Sequence, residues 1–263
     1  MAFAHSNGIR IYYRLEGNAD KPLLVLAHSL GSDHGLWDGQ VPALLPHFQV
    51  LRLDVRGHGA SDAPAGDYSV EQLSRDSLAA VRCAGARPFA FCGLSLGGMM
   101  GLWLAANAPA GMLRGVALAN TSPRVPDPGI FAARRNAVLE GGMAVAVTPS
   151  LERSFSPEFR AARHPAVDTI RNTLLATDAV GYAGCCAAIR DQDQRELMAR
   201  VRVPTLVIGG DRDVSMPWPG NGQALAEGIP GARAVVLHAA HFSNLEQPEE
   251  FNRALVEFLL ALQ

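Results

Sequence analysis

Lysine is almost missing from this chain: Lys21 is the only one among 263 residues, and the other basic side chains are arginines. The formal net charge is −2 and the pI about 6.4, with neither a basic block nor an acidic tail. That excludes the electrostatic footprint of a nucleic-acid binder or of a protein that rides on an anionic membrane. Cysteine is sparse as well. Cys83, Cys92, Cys185 and Cys186 form no Cys-x-x-Cys pair and have no companions at metal-ligand spacing, so they read as structural thiols of a reducing compartment. The first residues, Met1 to Gly8, lack a positively charged stretch leading into an apolar run, so export is not expected and a cytoplasmic location is. Charge of either sign is missing from Pro88 to Leu113, a stretch long enough to cross a bilayer. Gly93, Ser95, Gly97, Gly98, Asn107 and Pro109 break it into a strand, a turn and a helix, the look of a buried layer rather than a membrane span. The partner expected from these absences is a small molecule, with no nucleic acid and no membrane, for a monomer or small homo-oligomer.

What is present alternates strands with helices. Ile9 to Arg14 reads as part of an antiparallel edge hairpin around Asn7-Gly8. Leu23 to Ala27, Phe48 to Leu53, Phe89 to Leu94, Leu113 to Asn120, Pro204 to Gly210 and Ala234 to Leu237 read as further strands. Ser69 caps a helix with Gln72 at the capping-box position, Gly222 to Glu227 reads as a helix, and Pro248 to Leu262 is an amphipathic closing helix with Phe251, Leu255, Phe258 and Leu259 on one side. From Ser122 to about Arg200 the strand signals stop, and helix starts appear at Asp127-Pro128, Ser156-Pro157 and Thr177-Asp178. The expected architecture is α/β: a mostly parallel sheet flanked by helices, with residues 1–121 and 201–263 as the core and 122–200 as a helical cap or lid over the strand ends.

The chemistry centres on Gly93-Leu94-Ser95-Leu96-Gly97, where an apolar strand meets a small-residue helix. A Gly-x-Ser-x-Gly pattern in that setting is a nucleophile elbow: the glycines allow a sharp turn that pushes the serine hydroxyl out at the top of the sheet. A neutral serine hydroxyl is a poor nucleophile, so Ser95 requires a base, and the base an orienting acid. Asp213 follows one strand and His241 the last, where sites on such sheets collect, and the order Ser, Asp, His is that of the α/β hydrolases. Asp211 competes with Asp213, and His238 with His241. The reading prefers Asp213, which lies a few residues past its strand, and His241, because His238 ends a strand. His58, between Gly57 and Gly59, reads as structural. His28-Ser29-Leu30-Gly31 resembles the His-Gly-x-Gly loop of α/β hydrolases, making the backbone N–H groups of Leu30 and Leu96 the expected oxyanion donors.

Five segments extend the resemblance over nearly the whole chain: Gly93 to Met99, Trp103 to Pro109, Leu118 to Ser122, Gly184-Cys185-Cys186-Ala187-Ala188-Ile189-Arg190-Asp191, and His241-Phe242-Ser243-Asn244-Leu245-Glu246-Gln247-Pro248. In these the chain resembles the 3-oxoadipate enol-lactonases of aromatic catabolism, within the α/β-hydrolase fold. The run inside the expected lid is the most specific, since general hydrolase motifs do not demand it. His28 is a departure, standing where that family's pattern has a small polar residue. The resemblance implies hydrolysis of 3-oxoadipate enol-lactone through an acyl-enzyme on Ser95, with no metal or organic cofactor. It also implies a cation for the substrate's free carboxylate, for which Arg134, Arg135 and Arg190 are the candidates in the lid. A carboxylesterase or cofactor-free perhydrolase of the same fold, or a non-catalytic hydrolase-like binding protein, are the alternatives.

Overall fold

The computed structural model describes residues 2–262. Its strands are β1 (Ala2–Ser6), β2 (Ile9–Glu16), β3 (Leu23–Ala27), β4 (Gln49–Leu53), β5 (Phe89–Leu94), β6 (Leu113–Ala119), β7 (Thr205–Gly210) and β8 (Arg233–Leu237), all in one sheet with the order β1-β2-β4-β3-β5-β6-β7-β8. β1 and β2 pair antiparallel across Asn7 and Gly8, whose φ angles of 48° and 83° are those of the two-residue hairpin turn that Asn-Gly favours. β2 pairs antiparallel with β4, and every later pair is parallel. β3, β5 and β7 are buried along their whole length, which is why they read as unbroken apolar runs: helices cover both faces. In β4, buried Arg52 is compensated by Glu16, Asp38 and the His34 carbonyl.

The core helices are α1 (Val41–Leu44), α2 (Val70–Cys83), α3 (Leu96–Asn107), and, after β7, α10 (Gly222–Gly228), α11 (Ser243–Glu246) and α12 (Pro248–Leu260). At the start of α2, Ser69 Oγ accepts from Gln72 N–H at 3.1 Å, and only this half of the capping box forms. α12 buries Phe251, Leu255, Phe258 and Leu259. Only helices lie between β6 and β7: α4 (Pro128–Gly141), α5 (Ala144–Ser154), α6 (Pro157–Ala161), α7 (Pro165–Ala176), α8 (Ala179–Asp191) and α9 (Arg195–Met198). Asp127, Ser156 and Asp178 cap α4, α6 and α8 with their side chains. An isolated antiparallel bridge between Arg124 and Asp193 brings the two ends of this helical segment together. Among the described residues, no helix is long and apolar enough to cross a membrane.

Candidate active site

β5 ends at Leu94 and α3 starts at Leu96, so Ser95 alone reverses the chain. Its φ of 57° and ψ of −110° are unusual for a residue with a β-carbon, a strain on the order of 1–3 kcal/mol that the surroundings must hold. A β-carbon on Gly93 would stand 2.0 Å from the Gly97 carbonyl oxygen, and one on Gly97 2.2 Å from that of Ala27, so both positions require glycine. Ser95 N–H donates to the Ala119 carbonyl at 2.9 Å, and the Ser95 carbonyl accepts from Thr121 Oγ1 at 2.7 Å. These bonds to β6 and the residues after it pin the elbow.

The two acid and base pairings sort themselves by burial. Asp211 and His238 meet each other at 2.9 Å on the surface, with 48% and 72% of their side chains exposed. Asp213 and His241 meet at 2.8 Å and are buried. Asp213 Oδ1 accepts from the N–H groups of Ser215 and Met216, each at 2.8 Å, while Oδ2 accepts from His241 Nδ1 and from Asn120 Nδ2 at 3.0 Å. Burial on its own would raise the Asp213 pKa, but His241, the Met216 N–H and Asn120 together hold it below the usual carboxylate value. An ionised carboxylate at Nδ1 makes that nitrogen the donor, leaving Nε2 with its lone pair free to act as a base. Asn120, itself at a φ of 45°, also accepts from Ser243 Oγ at 2.6 Å and so joins the acid to the loop that carries His241.

The loop after β3 supplies the second part of the site. Leu30 lies beside the cavity and Leu96 is the first residue of α3, where the helix dipole places partial positive charge. Neither backbone N–H has an acceptor among the described residues. The loop is fixed from below by two fully buried imidazoles. His58 Nε2 accepts from Gly31 N–H at 2.9 Å, and His28 Nε2 accepts from Val55 N–H at 2.8 Å while its Nδ1 meets the Ser29 carbonyl at 2.7 Å. The His28 carbonyl in turn accepts from Gly97 N–H at 3.2 Å, tying this loop to the elbow. His58 is structural in these contacts, and so is His28, which does not line the cavity.

Ser95, His241 and Leu30 share a cavity of about 320 Å³ with Phe131, Arg134 and Arg153 from the helical segment. Of the three arginines singled out in the sequence for a substrate carboxylate, only Arg134 faces this cavity. Arg135 and Arg190 turn the other way, to Asp67 at 2.8 and 3.0 Å, and Arg190 also pairs with Asp191 at 2.6 Å. The reason is helical geometry: consecutive residues do not share a face, so Arg135 diverges from Arg134, and Arg190 from the cavity-lining Ile189. Arg153 was not among the sequence candidates, and neither was Asn120. Among the described residues, no group of three His, Cys, Asp or Glu side chains is placed to hold a metal ion.

Residues 22–248 match the family described as alpha/beta hydrolase fold. The "3-oxoadipate enol-lactonase 2" of Acinetobacter baylyi is 34% identical over 94% of this chain and 92% of its own length. A "Putative carbamate hydrolase RutD" of Pseudomonas savastanoi pv. phaseolicola is 32% identical over 93% of this chain and 96% of its own. The crystal structure of the enol-lactonase from Burkholderia xenovorans LB400 has a TM-score of 0.95 and 39% identity, covering 98% of this chain and 100% of that one. The chain belongs to the α/β-hydrolase fold family, and within it resembles the 3-oxoadipate enol-lactonases.

Proposed function

We propose that this protein is a serine hydrolase that opens 3-oxoadipate enol-lactone to 3-oxoadipate in the degradation of aromatic compounds. The observation that carries the reading is the buried Asp213–His241 bond, which leaves Nε2 as a base in the same small cavity as Ser95. Ser95 Oγ attacks the lactone carbonyl as His241 takes its proton, and Asp213 stabilises the imidazolium. The N–H groups of Leu30 and Leu96 receive the developing oxyanion, an effect worth about 3 kcal/mol per donor. Collapse breaks the ring C–O bond, and the enol oxygen, protonated by His241, stays tethered to the acyl group. Water activated by His241 then releases the acid, and the enol tautomerises to the ketone.

The enol-lactonase names of the relatives support the choice of substrate. Carbamate cleavage is the second reading, favoured by the 32% identity to the RutD relative, and it would use the same serine and base. The test supplies the enol-lactone and follows its ultraviolet loss with the wild type and with Ser95→Ala. The expected result is rapid ring opening that the substitution abolishes. Failure of the wild type to accelerate ring opening, alongside good turnover of simple esters or carbamates, would overturn the lactone assignment. A burst of acylation at Ser95 with a chromogenic ester separates an enzyme from a binding protein, which would show none.

A further inference from the structure

The peptide between Ser29 and Leu30 is held by its carbonyl. That oxygen accepts from His28 Nδ1 at 2.7 Å, from Ser32 Oγ at 2.8 Å and from Ser32 N–H at 3.2 Å. The Leu30 N–H at the other side of the same peptide has no acceptor among the described residues, and Leu30 lines the cavity over Ser95. In a planar trans peptide the C=O and N–H point in opposite directions, so whatever fixes the Ser29 carbonyl aims the Leu30 N–H. The next peptide is fixed as well, because Gly31 N–H donates to His58 Nε2 at 2.9 Å. One plane held at its carbonyl and the following plane at its N–H leave Leu30 little freedom to turn its donor away.

The two Ser32 bonds belong to the loop's own turn and move with it, whereas the histidines tie the loop to the rest of the fold. Facing a carbonyl, His28 Nδ1 must carry the proton; facing the Val55 N–H at 2.8 Å, its Nε2 must offer the lone pair. His58 divides its nitrogens in the same way, with Nδ1 toward the Arg56 carbonyl at 3.2 Å and Nε2 toward Gly31. Burial keeps both rings neutral at neutral pH, so both sets of bonds persist. Tyr182 and Cys185 of α8 close in on His58, with Cys185 Sγ 3.9 Å from Nδ1. We propose that His28 and His58 are positioning residues for catalysis, which together aim the Leu30 N–H at the point where negative charge develops on the substrate's carbonyl oxygen. The inference rests on the hydrolase reading, in which Leu30 is an oxyanion donor. Neither ring touches the substrate; each acts through the backbone it holds.

The test exchanges each histidine for both amides and follows steady-state hydrolysis of a chromogenic ester. The amide nitrogen of asparagine reaches the place of a histidine Nδ1, and the longer glutamine brings its amide oxygen to the place of Nε2. His28→Asn therefore keeps the donor to the Ser29 carbonyl and His28→Gln loses it, while His58→Gln keeps the acceptor for Gly31 N–H and His58→Asn loses it. In His28→Gln and His58→Asn kcat should fall by about 10–100-fold, the scale of a misplaced catalytic group, with KM within about threefold of wild type. His28→Asn and His58→Gln should recover most of that loss. Packing alone predicts no such crossing, because it ranks the two amides by size in the same order at both positions. The preference for an oxygen ester over its thionoester, whose sulfur accepts a hydrogen bond less well, should drop in the two impaired variants. Equal losses from asparagine and glutamine at each position, or losses carried by KM, overturn the assignment. The two positions are read separately, so if a variant of one does not fold, the pair at the other decides. A wild type that hydrolyses no ester overturns the hydrolase reading and this assignment with it, whereas an active wild type with kcat unchanged in His28→Gln and His58→Asn overturns this assignment alone.

Discussion

Two acidic residues two positions apart, Asp211 and Asp213, each bond a histidine, and the difference between them is a matter of solvent. Around Asp213 water is excluded and each carboxylate oxygen has two donors, so its charge is fixed and directed at His241. Around Asp211 the bond to His238 is exposed and screened. Asp213→Asn should therefore cost kcat about 10³–10⁴-fold by disturbing the imidazole tautomer, while Asp211→Asn stays within a few-fold of wild type. Steady-state kinetics on a chromogenic ester decides it, and comparable losses in the two variants would show that burial does not choose the acid. The turn at Ser95 and the meeting of Asp213 with His241 were legible because each of these residues follows a strand end in a fixed order. Arg153 and Asn120 were not. Which arginine of a helix faces a cavity depends on the rotation of that helix against its neighbours, and the role of Asn120 depends on β7 and the loop after β8 arriving beside β6.

At the scale of elements, the sequence marks strands well and the helical segment less evenly. α4, α6 and α8 announce themselves through Asp127, Ser156 and Asp178. α5 has no side-chain cap and carries Pro149 within it, and α7 uses His164 as its cap ahead of Pro165, so neither has the usual Ser or Asp signal. The Gly184 to Asp191 run, most specific in the resemblance, serves mainly to seat α8 on the core: a β-carbon on Gly184 would stand 2.7 Å from the Tyr68 ring, and Cys185 Sγ donates to the Arg56 carbonyl at 3.4 Å. The His241 to Pro248 run works the same way. Glu246 on α11 accepts from Ala240 N–H at 2.9 Å through one oxygen and from Ser156 N–H at 2.6 Å through the other, joining the residue before His241 to the start of α6. Glutamine offers only one acceptor oxygen and would set its amide N–H against a backbone donor. Glu246→Gln should then cost about 1–3 kcal/mol of stability, or about 2–4 °C in Tm for each kcal/mol. It should also lower kcat, since the His241 loop loses its tie to the helical segment. Thermal unfolding alongside ester kinetics checks this, and an unchanged Tm would show that the bridge contributes nothing.

For the whole molecule, the two imidazoles beneath the loop after β3 set a limit on acid stability. Their rings pack with centres 5.3 Å apart, each with one nitrogen accepting a backbone N–H, so a proton on that nitrogen would oppose a donor. Desolvation by burial is the main cause that lowers the His28 pKa to about 4 and the His58 pKa to about 3, and for His58 the neighbouring His28 adds to it. Below the ordinary histidine pKa, near 6.5, the unfolded chain binds protons that the folded chain refuses, so stability is full above that value and falls as pH drops toward 4 and then 3. The shifts correspond to about 3 kcal/mol for His28 and about 5 kcal/mol for His58 over that window. His34 and Asp54 stand next to the pair, and protonation of Asp54, whose pKa is held down by His34 and the Ala60 N–H against the raising effect of burial, adds to the loss at the acid end. Urea midpoints should therefore decline from pH 7 to pH 5, before most native carboxylates titrate. In His58→Gln, whose amide can accept the Gly31 N–H without titrating, the midpoint should be lower at pH 7 and the decline to pH 5 shallower. A decline as steep as that of the wild type would place the acid sensitivity elsewhere in the fold.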